Sequence, residues 1–168
     1  MKKFETLAIC RGFALCRGYI TPNDSHEYSH SDTSTNARFS QIFYLTRGGG
    51  KLYKYDNTIY GESDTPNIWD LREFYKEPYI LASGDKGAEW ICINPIPANK
   101  FFDFELLSTG TKKTIYGNKE KEQSIICLKG TLLINDKVFN KYNYTRILDG
   151  KIADITVNND SEALYLFR

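Results

Sequence analysis

The sequence predicts an all-β protein of two similar halves with little helix, and three observations carry that expectation. Runs rich in Val, Ile, Tyr, Phe and Thr are strand-length, and Gly, Asn and Asp separate them at nearly regular spacing from Glu122 to Arg168. A Gln-x6-Gly pattern occurs twice, at Gln41/Gly48 and Gln123/Gly130, each time followed by strand, turn and strand. With 168 residues, 41% of them hydrophobic and 14% aromatic, the chain has enough apolar surface to bury a core.

Taken in order, residues 1–20 favour two strands that end at Gly12 and Gly18. They contain a local echo, Cys10-Arg11-Gly12 and Cys16-Arg17-Gly18, which reads as two turns in preference to a thiol or anion site. The opening lysines suggest a leader, but Glu5, Arg11 and Arg17 interrupt its apolar region, so secretion by that route is not expected. Phe39 to Thr46 reads as a strand turning at Gly48-Gly49-Gly50 into Lys51 to Tyr55. A longer link follows, with a short helical turn near Ile68 to Tyr75. Tyr79 to Ala82 and Ala88 to Ile93 then form strands around a turn at Ser83 to Gly87. The proline-bearing segment Asn94 to Lys100 is the natural seam, giving halves 1–97 and 98–168.

The second half is a series of hairpins. Strands at Ser124 to Leu128, Thr131 to Ile134 and Lys137 to Phe139 are separated by Lys129-Gly130 and Asn135-Asp136. After the polar Asn140 to Asn143, a strand through Ile147 turns at Asp149-Gly150 into Ile152 to Val157. Asn158 to Asp160 leads to the closing strand Ala163 to Phe167. The expected core here is Ile125, Cys127, Leu133, Ile155, Val157, Leu164 and Leu166.

Charge excludes one class of partner. The 22 basic and 21 acidic residues leave a net +1 with no basic stripe, so nucleic acid is not expected. No apolar run approaches the ~20 residues of a membrane-spanning helix. Four scattered cysteines suggest reduced thiols and a cytoplasmic setting.

Both histidines fall in the polar stretch Thr21 to Ala37, where His26-Glu27-Tyr28-Ser29-His30 matches the zinc-protease pattern H-E-x-x-H. That chemistry needs a helix, and the flanking Asp, Ser and Thr residues offer it no apolar face. If a metal binds here, His26, His30 and Glu27 (or Asp32) are its candidate ligands in another geometry.

The Gln-x6-Gly repeat resembles the first motif of the cupin superfamily, a glutamate seven residues before a glycine with a His-x-His pair shortly ahead. Residues 123–168 carry the likeness, and residues 38–93 carry it more loosely. It implies a bicupin, two tandem jelly-roll barrels over about 20–168. The departures bear on chemistry. Glutamine replaces glutamate at both positions, Asn118/Glu120 and Ser34/Asn36 stand where the His-x-His pairs belong, and no histidine follows His30. The second barrel therefore lacks the usual metal ligands, and no cofactor is expected.

The sequence thus favours a non-catalytic cupin-like binding or assembly protein. It would bind a small ligand, with Gln41 and Tyr53 as candidate contacts, or act through self-association or a protein partner, a virion included. The alternative is a cupin-type isomerase, epimerase or lyase with His26 or His30 as base and Tyr28, Tyr44 or Tyr53 as acid.

Overall fold

The computed structural model describes residues 2–28, 39–75 and 77–168. The chain divides into two compact units, Met1–Phe101 and Phe102–Arg168. All strand pairs are antiparallel, and the described residues contain no α-helix.

The first unit holds β1 (Lys2–Cys10), β2 (Phe13–Ile20), β3 (Ser25–Tyr28), β4 (Ile42–Lys54), β5 (Ile59–Ser63), β6 (Asn67–Asp70) and β7 (Tyr79–Pro95). One 3₁₀ turn, Arg72–Phe74, lies before β7. These strands make one sheet in the order β1-β2-β7-β4-β5, with β3 also on β7 and β6 also on β4.

Two expected turns are absent. β4 runs unbroken for 13 residues through Gly48-Gly49-Gly50, and β7 runs for 17 through Ser83 to Gly87. The strands pair on both sides of the glycines, with register shifts between Leu45 and Arg47 and between Gly48 and Gly50. Positive φ serves a bulge as well as it serves a hairpin, so the glycines were a sound mark of irregular backbone and a poor guide to its kind. Gly48 and Gly87 have φ of +79° and +74°, and a Cβ on Gly48 would stand 2.0 Å from the Gly87 carbonyl oxygen. Only glycine permits that approach.

The irregularity reverses which positions face inward. On β7, Tyr79 and Leu81 point into the core before the bend, and Ala88, Trp90 and Cys92 after it. On β4, Phe43 and Leu45 give way to Leu52. Odd becomes even and even follows odd, as one extra residue in a period-2 strand requires. Ile20, Phe39, Trp69, Leu71 and Phe74 complete this core. Gly18, expected to end a strand, is inside β2; the Trp90 ring occupies the place of its Cβ, with Cζ2 2.3 Å away.

The second unit holds β8 (Asp103–Leu107), β9 (Lys112–Tyr116), β10 (Gln123–Lys129), β11 (Thr131–Ile134), β12 (Lys137–Asn140), β13 (Tyr144–Arg146), β14 (Ile152–Val157) and β15 (Glu162–Phe167). They form two four-stranded sheets, β13-β10-β15-β8 and β12-β11-β14-β9, the double Greek key of a jelly roll. Leu107, Ile115, Ile125, Cys127, Leu132, Ile134, Ile147, Ala153, Ile155, Val157 and Ala163 fill the core. Leu164 and Leu166 are buried too. Leu133 is a correction: it is half-buried, because Leu132 and Ile134 pair with Val157 and Ile155 and take the inward positions.

With β4 and β7 each counted as two halves, the first unit has the same connectivity. β2, late β7, early β4 and β6 correspond to β8, β15, β10 and β13. β3, early β7, late β4 and β5 correspond to β9, β14, β11 and β12. β1 is additional and extends the sheet beyond β2.

Candidate functional site

The inward face of late β7 ends in polar groups. Following Trp90 and Cys92 by the same alternation, Asn94 is the next inward position. β2 places Cys16 directly across from Cys92, and β1 places Thr6 across from Cys16. The Gln41 N–H donates to the Ile93 carbonyl at 2.9 Å and so brings the neighbouring Ser40 alongside Asn94. Together with Phe4 and Glu5, these residues line a pocket of about 270 Å³.

The polar groups are ordered in a chain. Ser40 Oγ donates to Asn94 Oδ1 at 2.8 Å, which turns the Asn94 amide so that Nδ2 donates to Cys16 Sγ at 3.6 Å. Thr6 Oγ1 approaches the same sulfur at 3.9 Å. The neighbouring Cys16 side chain first, then burial, pushes the Cys92 thiol well above its ordinary range. Neither cysteine is in a disulfide. The Cys92 thiol is therefore a weak nucleophile at neutral pH.

The outer face of the same strands carries a charged pocket of about 230 Å³ lined by Lys3, Glu5, Arg17, Gly18, Tyr19, Arg47 and Glu89. Arg17 Nη2 and Nε reach Glu89 Oε1 at 2.7 and 3.0 Å, and Arg47 Nη2 reaches Oε2 at 3.3 Å. Both oxygens of this largely buried carboxylate are therefore neutralised. The group serves as an ion-pair clamp between β2, β4 and β7.

The residues anticipated from sequence lie on β3, on or next to β4, or outside the described residues. His26 pairs with Leu81, an inward residue, and its ring packs on Phe4 at 4.7 Å between centroids. Glu27 pairs with Ile80 and is exposed, so it takes the opposite face of β3 from His26. Tyr28 ends β3, while His30 and Asp32 lie outside the described residues. Tyr44 and Tyr53, the other candidate acids, lie on β4. They pair with Ile91 and Ile80 on the face opposite Phe43, Leu45 and Leu52, because the bulge resets the alternation between them. Gln41, immediately before β4, is fully buried. Sequence reasoning missed Thr6, Ser40 and Asn94, and read Cys92 as a simple apolar filler. The one available signal was Asn94 continuing the Trp90-Cys92 alternation.

A cupin metal centre needs several imidazole and carboxylate ligands converging on one point. In the second unit, Gln123 stands at the glutamate position with both ends of its amide engaged. Nε2 donates to the Tyr165 hydroxyl at 2.7 Å, and Oε1 accepts the Asn118 N–H at 3.2 Å. That unit has no histidine. Among the described residues, no group of three His, Cys, Asp or Glu side chains converges on a point. The described residues do not fit the imidazole and carboxylate metal centre of that superfamily. No described helix is long and apolar enough to cross a membrane.

No family model matches the sequence, and no curated protein matches it. Solved structures do resemble it. A cupin 2 conserved barrel domain protein from Leptotrichia buccalis aligns at a TM-score of 0.56 and 7% identity, over 99% of this chain and 88% of its own. The bacterial pirin YhhW from Escherichia coli, in complex with nickel(II), aligns at 0.59 and 13% identity, over 93% and 81%. AerE from Microcystis aeruginosa aligns at 0.55 and 12% identity, over 99% and 91%. With the jelly-roll connectivity described above, these likenesses establish that the chain has the fold of the cupin superfamily.

Proposed function

We propose that this chain is a non-catalytic tandem-barrel cupin that binds a small uncharged molecule in the pocket of its first unit. The repeated strand connectivity supports the tandem reading. The observation that carries the binding reading is the ordered set of neutral donors and thiols from Ser40 through Asn94 to Cys16 and Cys92, set beside the ring of Phe4 in a pocket of about 270 Å³. Pockets of this kind hold an apolar body and orient it with a few polar groups. A general acid–base pair would need groups that exchange protons near neutrality within reach of one another. Tyr44 and Tyr53 face elsewhere, and His26 packs on Phe4.

The test is an NMR screen of small alcohols, amides and heterocycles against the wild-type chain and an Asn94→Leu variant. Binding by wild type that the variant loses supports the proposal. Absence of any binder, or equal binding by the variant, overturns it, and turnover of a bound compound would make the protein an enzyme.

A second role in assembly has one observation in its favour. Tyr116 and Ile152 are cross-strand partners on the outer face of the second unit, 68% and 50% exposed. Adjacent exposed apolar side chains favour contact with another copy or a protein partner. Light scattering of wild type and a Tyr116→Glu, Ile152→Glu variant tests this; a wild-type monomer overturns the self-association form.

A further inference from the structure

Cys16 and Cys92 are separated by most of the first unit in sequence, yet they are direct cross-strand partners. We infer that these two side chains bind a single monovalent copper ion as a two-coordinate bis-thiolate. The inference goes beyond the proposed function: it places an ion on the two thiols that line one wall of the same pocket.

Geometry supplies the first argument. Directly opposed residues of an antiparallel pair carry their Cβ atoms about 4.5–5.5 Å apart on one face. Cys16 and Cys92 are such a pair, and both line the same pocket. An ion entering between them meets two sulfurs with no large movement of the backbone.

Chemistry selects the ion. Two sulfurs are soft ligands, and thiolates favour Cu(I) over the hard cations, which require several oxygens. Zinc would need about four ligands. Among the described residues, no third His, Cys, Asp or Glu joins these cysteines in a cluster. A closed-shell monovalent ion satisfied by two sulfurs fits that donor set.

The surroundings complete the site. Binding follows 2 RSH + Cu⁺ → [Cu(SR)₂]⁻ + 2 H⁺; both protons leave to solvent, copper remains monovalent and no electron is transferred. The pocket gains one negative charge. Asn94 Nδ2 already donates to Cys16 Sγ, and Ser40 fixes that amide by donating to Oδ1. Donors of this kind orient a metal ligand and stabilise the thiolate. Proton release also makes affinity rise with pH.

The experiment uses the full chain, reduced and under nitrogen, titrated with Cu(I) supplied as its acetonitrile complex against bicinchoninate. Ultraviolet charge-transfer absorption is the second readout. The expected result is one copper per chain in wild type and in a Cys10→Ser variant, with binding lost in Cys16→Ser and in Cys92→Ala. Asn94→Leu should weaken affinity about tenfold. Circular dichroism and thermal midpoints establish that each variant is folded; Cys16 is only partly buried, so Cys16→Ser is the secure arm. No stoichiometric copper in wild type, or undiminished binding in folded Cys16→Ser, overturns the inference. Small-molecule binding without copper retention removes this site and leaves the pocket reading intact. Copper retention with no small-molecule binder does the reverse.

Discussion

Gln41 and Gln123 hold the same station in the two units. The carbonyl of Gln41 accepts the Leu71 N–H at 2.6 Å, and that of Gln123 accepts the Ile147 N–H at 2.9 Å. Leu71 follows β6 and Ile147 follows β13, which correspond in the two strand orders. Gln41 bonds to Ile93 on β7, as Gln123 pairs with Phe167 on β15. Each glutamine stands seven residues ahead of a glycine with positive φ, +79° at Gly48 and +66° at Gly130.

The Gln123 amide is thus a structural bridge, and its replacement has a signed pH dependence. Gln123→Glu removes the donor to Tyr165 and buries a carboxyl group whose pKa must rise above its unfolded value of about 4.3. The unfolded state then loses its proton first, so stability relative to wild type falls as pH rises from about 4 towards 7. Urea denaturation at both pH values should show a deficit of about 1–3 kcal/mol at pH 7 that shrinks in acid. A pH-independent difference would contradict this account.

Glycine positions separate clash from conformational preference. Gly48→Ala drives a Cβ into the Gly87 carbonyl at 2.0 Å, whereas Gly150, at φ +69°, has nothing within 4 Å of its would-be Cβ. Gly150→Ala should cost about 1–2 kcal/mol, the penalty of left-handed backbone alone. Gly48→Ala should cost clearly more, read as the thermal midpoint or as failure to fold.

Adjacent leucines on β11 should behave differently. Leu132 is fully buried, so Leu132→Ala should cost about 2–5 kcal/mol. Leu133 is half-buried on the other face, and Leu133→Ala should cost well under half of that. Equal shifts in the urea midpoint would mean that the register is wrong.

Burial pushes the Cys127 thiol up to about 11. The unfolded thiol ionises nearer 8.5, so the folded state keeps its proton longer. Stability from this group is complete below about pH 8.5 and declines as pH rises towards 11. Denaturation at pH 8 and 10.5 should show a loss that Cys127→Ala reduces.

The hairpins after Glu122 were legible because their turns are short and polar. Asn135 and Asp136 both adopt positive φ, and Gly150 does so in the next turn. Gly48 and Gly87 carried the same chemical signal for a different purpose, and nothing local distinguishes a chain that reverses from one that bulges and continues. The facing of Tyr53 relative to Tyr44 depends on that bulge as well. The pocket was hidden for another reason. Cys16 meets Cys92 through strand pairing across distant sequence, and periodicity reports a residue's face without naming its partner.

Because β4 and β7 each contribute to both sets of strands in the first unit, neither set can slide independently. A slip of one residue on early β4 would carry through Gly48 to late β4 and expose Leu52 as well as Phe43 and Leu45. Gly48 and Gly87 act as an alignment key, since only one offset lets those two backbones pass. Misregistered intermediates are therefore penalised in both sets of strands at once, which protects the edges of the folding sheet from wrong partners.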